Sequence, residues 1–159
     1  MAKRPSGDPK NAPERRVLAT NRRARHDYEI LDKLEAGLVL VGSEVKSLRG
    51  GGVTIGEGYA RMEGDELWLH GVHIPPLPQA SYQNHEPTRA RKLLLHRREL
   101  RKLKTALEAK GRTLVPLSLY FLGHRVKIEL GVGQARRKGD RRQADREKEE
   151  RKRIRHYTG

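Results

Sequence analysis

Arg125-Val-Lys-Ile-Glu-Leu130 alternates without a break: Val126, Ile128 and Leu130 fall on one side, Arg125, Lys127 and Glu129 on the other. A two-residue period is that of a strand with one buried face. The chain is therefore committed to a sheet with an inside and an outside. Thr113-Leu-Val and Leu117–Leu122 supply a strand just before it. Tyr28, Ile30 and Leu34 open another, and the β-branched run Gly37-Leu-Val-Leu-Val-Gly42 reads as a separate one. Gly58–Met62 and Leu67–His70 flank Glu63-Gly64-Asp65 and predict a hairpin, with Val72-His-Ile74 a further short strand. Residues 75–88 form a loop long enough to suspect a function.

Two helices interrupt the strands. Ser43-Glu-Val-Lys-Ser-Leu48 reads as a short helix capped by Ser43 and ended by Gly50-Gly51-Gly52. Leu93, Leu100, Leu103 and Leu107 share one face, with Arg97, Arg98, Arg101, Lys102 and Lys104 on the others. This predicts a helix over about 96–110, closed by Gly111 and preceded by an extended Arg91–Leu95. The elements define an α+β domain on a small antiparallel barrel, with one short and one longer helix.

Only 35% of the 159 residues are hydrophobic and 35% are charged, so the folded part falls short of the whole chain. Pro5, Pro9 and Pro13 among few apolar residues mark residues 1–20 as a disordered basic arm. The folded domain spans 21–133. Apolar residues almost vanish after Gly133, and 134–159 reads as a basic tail, disordered alone. Its Asp-Arg-Glu-Lys-Glu-Glu-Arg-Lys run (145–152) offers pairs at helical spacing, for a helix formed on a partner.

The net charge of +15 is unevenly placed. Residues 1–25 carry eight Lys/Arg against two acids, and 134–159 carry eleven against five. Residues 26–88 hold four bases against ten acids, whereas 89–112 hold ten against two. A surface serving solubility alone would mix the signs. This pattern points to a polyanion, and nucleic acid fits it best. No apolar run approaches the roughly 18 residues of a membrane span, and Met1–Pro9 has no apolar signal core, so no membrane partner is expected. Cysteine is absent, which excludes disulfides and thiolate metal sites, and a cytoplasmic protein is expected.

Asn21-Arg-Arg-Ala-Arg-His-Asp-Tyr28 is the block richest in binding chemistry. Arg contacts phosphate, His and Tyr stack on unpaired bases, and Asn bonds a base edge or a 2′-hydroxyl. The plain alternative is a solvated lead-in to a strand. Phosphate-loop, zincin and nucleophile-elbow motifs are all missing. His70 and His73 sit three apart with no other ligand near in sequence, so they read as surface or RNA-facing. Glu35 and Glu44 read as turn and cap residues with no nucleophile beside them. No enzyme activity, metal or other cofactor is expected. Composition alone suits a ribosomal RNA binder equally well, and leaves an RNA-processing enzyme using His and Glu as a third reading.

Four blocks separate these readings: residues 21–28, Glu35-Ala-Gly-Leu-Val-Leu-Val-Gly-Ser-Glu-Val-Lys-Ser-Leu-Arg49, Pro87-Thr-Arg-Ala-Arg-Lys-Leu-Leu-Leu-His-Arg-Arg-Glu-Leu100, and Thr113-Leu-Val-Pro-Leu-Ser-Leu-Tyr-Phe121. Together they resemble the SmpB family, the SsrA-binding (tmRNA-binding) proteins of bacterial trans-translation. The resemblance implies an OB-like antiparallel barrel. It also implies binding to the tRNA-like domain of tmRNA and delivery to stalled ribosomes. Elongation factor Tu and alanyl-tRNA synthetase are implied as partners through tmRNA. The protein would stand in for the anticodon arm, its tail in the decoding centre and mRNA channel.

By the same resemblance, Asn21, Arg22, Arg25, His26, Tyr28, Glu35 and Leu94 face RNA, with Lys46, Arg89, Arg91, Lys92 and Lys127 as further basic candidates. Arg136, Arg137, Lys138, Asp140, Arg141 and Arg142 are implied as ribosome-contacting tail residues. Ala135 replaces a usual Gly, and Gly139 stands where the family often has His or Tyr, so it offers no ring for stacking.

Overall fold

The computed structural model describes residues 13–78, 84–136 and 146–152. Its elements are β1 (Arg15–Thr20), α1 (Ala24–Asp27), β2 (Tyr28–Leu38), α2 (Gly42–Gly50), β3 (Tyr59–Glu63), β4 (Glu66–His70), β5 (Arg91–Leu94), α3 (Arg97–Ala106), β6 (Arg112–Leu122) and β7 (Arg125–Ala135). The strands run in the order β1-β6-β3-β4-β5-β2-β7, and β7 pairs back onto β6. Six strands thus close into an OB-like ring, with β1 added outside the closure on β6.

Two seams of the ring are thin. β3 meets β6 only at Ala60↔Leu114, and β5 meets β2 only at Gly37↔Leu94 and Leu38↔Leu93. The β6–β7 and β2–β7 ladders are long by comparison. Inside the ring lie Leu67, Leu69, Leu93, Leu114, Leu119, Ile128 and Leu130, each at most 2% exposed. The alternation of β7 places Val126, Ile128 and Leu130 inward, as its sequence requires. Leu103 of α3 is buried in the same core, with Leu100 and Leu107 packed against it.

Several expectations change. The arm is not disordered throughout: Arg15–Thr20 forms β1, because β6 offers an open edge and Leu18 and Ala19 pack on the core. Residues 1–12 lie outside the described residues. The two strands expected around 28–42 are one strand of 11 residues through Gly37, bulged between Ile30 and Asp32. The helix α2 is capped at Val41, whose N–H donates to the Glu44 carboxylate at 3.0 Å, while the Ser43 hydroxyl pairs instead with His85 Nδ1 at 2.9 Å. The long helix stops at Ala106, since residues after it turn to bring Arg112 into β6. His73 makes a lone bridge to Thr54 rather than a strand. The domain runs two residues past the expected boundary, to Ala135. In the tail, residues 146–152 are already helical without a partner, and all are exposed. No helix among the described residues is long and apolar enough to cross a membrane.

Candidate nucleic-acid interface

Gly37 is the residue at which β2 has strands on both sides, paired with Lys127 of β7 and Leu94 of β5. From Tyr28 to Ala36 it pairs with β7 alone. The vacant side opens toward α3, and the gap is a groove of about 700 Å³. Glu35, Leu94 and Lys127, three of the residues expected to face RNA, line it together. Lys33, His96, Lys102 and Arg125 join them without having been anticipated.

Cross-strand register explains the convergence. Tyr120 is opposite Lys127, Lys127 opposite Gly37, and Gly37 opposite Leu94. Residues in register share a face, so one outward row crosses β6, β7, β2 and β5. Gly37 is the low point of that row. A Cβ there would meet the Leu94 Cβ at 3.4 Å and the Lys127 Nζ at 3.8 Å. Leu94 is 51% exposed, so it is a surface contact and not core. Glu35 is exposed, and one of its carboxylate oxygens accepts a hydrogen bond from the buried Tyr120 hydroxyl. Burial, reinforced by that carboxylate, pushes the Tyr120 phenol well above its usual range, so it stays a donor. On the ring face, the Arg15 guanidinium sits 3.9 Å from the centroid.

The other expected cations divide. Arg22, Arg25 and Lys46 are exposed and free to meet phosphate. Arg91 is not: it is wholly buried, with Nε on Glu44, one terminal nitrogen on Val72 O at 2.8 Å and the other on Pro87 O at 3.0 Å. Its placement at the RNA surface is therefore corrected, since all three of its nitrogens are bonded inside. Arg89 bonds the other oxygen of the same Glu44 and serves that ion triad too. Burial works to raise the Glu44 pKa, but the bonds from Arg89, the Val41 N–H and Arg91 outweigh it and hold the carboxyl below its usual range. Lys92 remains at the surface, 3.2 Å from Glu66.

The first block folds differently from its reading as a strand start. Residues 24–27 make one helical turn, α1. Asn21 fastens the end of β1: its side-chain amide donates to Pro116 O at 2.9 Å and its N–H to Leu117 O at 2.8 Å. His26 Nδ1 lies 3.1 Å from the Asp27 carboxylate. Tyr28 packs with Ala24, Val115 and Leu117. Asn21 and Tyr28 line a separate cavity of about 410 Å³ with Tyr59, sharing no wall residue with the groove. Tyr59 is 43% exposed, and its ring stacks on His70 at 5.3 Å.

In the tail, Arg136 is half-buried and its N–H bonds Asp27 O at 3.1 Å, so it belongs to the body. Arg137, Lys138, Asp140, Arg141 and Arg142 lie outside the described residues. Among the described residues no cluster of side chains could hold a metal ion.

A closed antiparallel ring, plugged by a helix and grooved beside a cationic rim, defines the OB-like class of β-ring proteins, an architecture that holds nucleic acid on exposed faces. The model of the family "SmpB protein" matches residues 18–158. The SsrA-binding protein of Arthrobacter sp. (strain FB24) is 49% identical over 138 residues, 87% of this chain and 88% of the relative. That of Streptomyces coelicolor is 48% identical over 138 residues, 87% of each. That of Leifsonia xyli is 50% identical over 135 residues, 85% of each. A solved chain described under tmRNA-SmpB and the center of the bacterial ribosome superposes with a TM-score of 0.66 at 47% identity, covering 82% of this chain and 95% of that one. The chain belongs to the SmpB family.

Proposed function

We propose that this chain is a non-enzymatic ribosome-rescue factor that binds tmRNA by its tRNA-like domain and brings it to stalled ribosomes. The observation that carries the reading is the groove, where an exposed apolar side chain (Leu94), an anchored carboxylate (Glu35) and a cation (Lys127) meet. A phosphate surface alone needs only the cation. Glu35 accepts from base amino groups or a 2′-hydroxyl, Leu94 covers a base or ribose face, and Lys127 meets phosphate. The exposed Arg22 and Arg25 add charge beside the second cavity. The body then occupies the place of an anticodon arm. The basic tail from Arg137 onward enters the decoding centre and mRNA channel. Elongation factor Tu and alanyl-tRNA synthetase act with it through tmRNA, in the cytoplasm.

The test is a titration of the pure protein against the tRNA-like domain, with elongator tRNA as competitor, at 50 and 200 mM salt. About six to ten phosphate contacts weaken all binding by roughly 10³–10⁵ over that range. A preference for the tRNA-like domain that survives at 200 mM is expected. Equal, parallel loss for both RNAs would leave a general basic RNA binder in its place.

A further inference from the structure

We propose that the crest of α3, made by Arg98, Arg101 and Lys102, holds the phosphate backbone of the same RNA where it leaves the groove. The inference rests on the groove being an RNA site. An α-helix turns about 100° per residue. With Leu100, Leu103 and Leu107 against the core, Arg98, Arg101 and Lys102 fall on the opposite side, and all three are exposed. Glu99, Lys102, Leu103 and Ala106 form the groove-side flank of the helix. Lys102 therefore belongs to both the groove wall and the crest, and links the two.

Two observations set this crest apart from an ordinary solvated face. The first is pairing. The cations of β3 and β5, and Arg89 just before β5, are matched: Arg61 with Glu63, Lys92 with Glu66, Arg89 and Arg91 with Glu44. On α3 only Lys104 has an acid, Asp65 at 3.8 Å, while Arg97, Arg98, Arg101 and Lys102 have none among the described residues. The second is spacing. Arg97 and Arg101, and Arg98 and Lys102, are like-charge pairs four residues apart, which destabilise a helix. A surface evolved for solubility places Glu at such positions. Charges that repel one another and meet no acid match a continuous polyanion, and the groove supplies the position of one.

The test uses the full chain and the tRNA-like domain of tmRNA. Arg98→Gln/Arg101→Gln/Lys102→Gln is compared with wild type and with the charge-preserving Arg98→Lys/Arg101→Lys/Lys102→Arg over a salt series. Gln is a good helix former and relieves the repulsion, so the neutral variant should melt no lower than wild type. The slope of log K against log salt should fall by about 2 to 3 for the neutral variant, one phosphate per cation, and stay unchanged for the charge-preserving one. An unchanged slope in the neutral variant, with Lys127→Ala still weakening binding, sinks the crest and spares the groove. Loss of any preference for this RNA by the wild-type protein sinks both. A slope change seen with ribosomes but not with the tRNA-like domain also overturns the proposal, because the backbone would then be ribosomal.

Discussion

The hydroxyl of Tyr120 on β6 donates to the carboxylate of Glu35 on β2, reaching across β7 and joining positions 85 residues apart. The bond fixes an exposed acid at the mouth of a groove in a protein of net charge +15, where a loose carboxylate would swing toward the nearest cation. Arg15 of β1 lies over the Tyr120 ring, so the first strand also packs on the residue that holds Glu35.

Tyr120→Phe should remove that bond while keeping the ring packed. Stability should fall by about 1–2 kcal/mol, and RNA affinity should fall with it. In a double-mutant cycle with Glu35→Ala, titrated against the tRNA-like domain, the second substitution should cost almost nothing. Additive losses would mean that Tyr120 acts on RNA binding by some path other than Glu35.

Gly37→Val tests the gap between two groove residues, Leu94 and Lys127. The backbone there is ordinary strand, so folding should survive within about 1 kcal/mol. The added methyls would fill the space between Leu94 and Lys127. RNA affinity should drop about tenfold, roughly 1.4 kcal/mol, measured by the same titration with a thermal melt as control.

Arg91→Ala should destabilise by about 3–5 kcal/mol, because it leaves the buried Glu44 short of its partner, yet leave RNA affinity of the still-folded protein near wild type. An affinity loss beyond the unfolded fraction would return Arg91 to the RNA surface. The same triad sets a pH dependence. The folded Glu44 titrates below its ordinary value of 4.5, so its contribution is complete above 4.5 and is lost as pH falls through the lower, folded value. Chemical denaturation between pH 6 and 3 should show stability falling in this window, with a shallower fall in Glu44→Gln.

Gly133→Ala places a methyl 2.9 Å from the Tyr28 Cβ. The expected cost is about 1–3 kcal/mol, read by denaturation, and Tyr28→Ala in the same chain should recover part of it. A neutral Gly133→Ala would show that Tyr28 is not held against β7.

Truncation after Arg137 keeps the Ala135 pairing to Tyr28 and the Arg136 bond to Asp27. Such a chain should hold tmRNA within about threefold, roughly 0.7 kcal/mol, and fail in ribosome-dependent peptide tagging. A loss of tmRNA affinity by orders of magnitude would place RNA recognition in the tail.

Local signals carried the fold where the physics is local. The alternation of 125–130, the Gly64-Asp65 turn and the glycines after Leu48 each decide their element within a few residues. The misreadings come from partners far along the chain. Ser43 reads as a cap, but its hydroxyl partner His85 is 42 residues away. Arg91 sits in a run of cations that reads as solvent-facing, and only Glu44, 47 residues earlier, draws it inside. The strand Arg15–Thr20 has too few apolar residues to announce itself and depends on the edge that β6 provides. Family resemblance pointed to Glu35 and Leu94, charge added Lys127, and register brings them together. Tyr120 lay hidden because an aromatic in an apolar strand looks like core, and its hydroxyl bond is a property of the closed ring.

Ring closure also decides when during synthesis the protein becomes competent. β1 and β2 emerge first, but their partners β6 and β7 are translated near the end, and the Asn21 amide waits for Pro116, 95 residues later. Until then β2 has only its two-residue pairing with β5, and the groove lacks Arg125 and Lys127. Nascent or prematurely terminated chains of this protein therefore lack the completed groove. A factor that serves ribosomes halted mid-message would itself be built so that an interrupted copy stays silent.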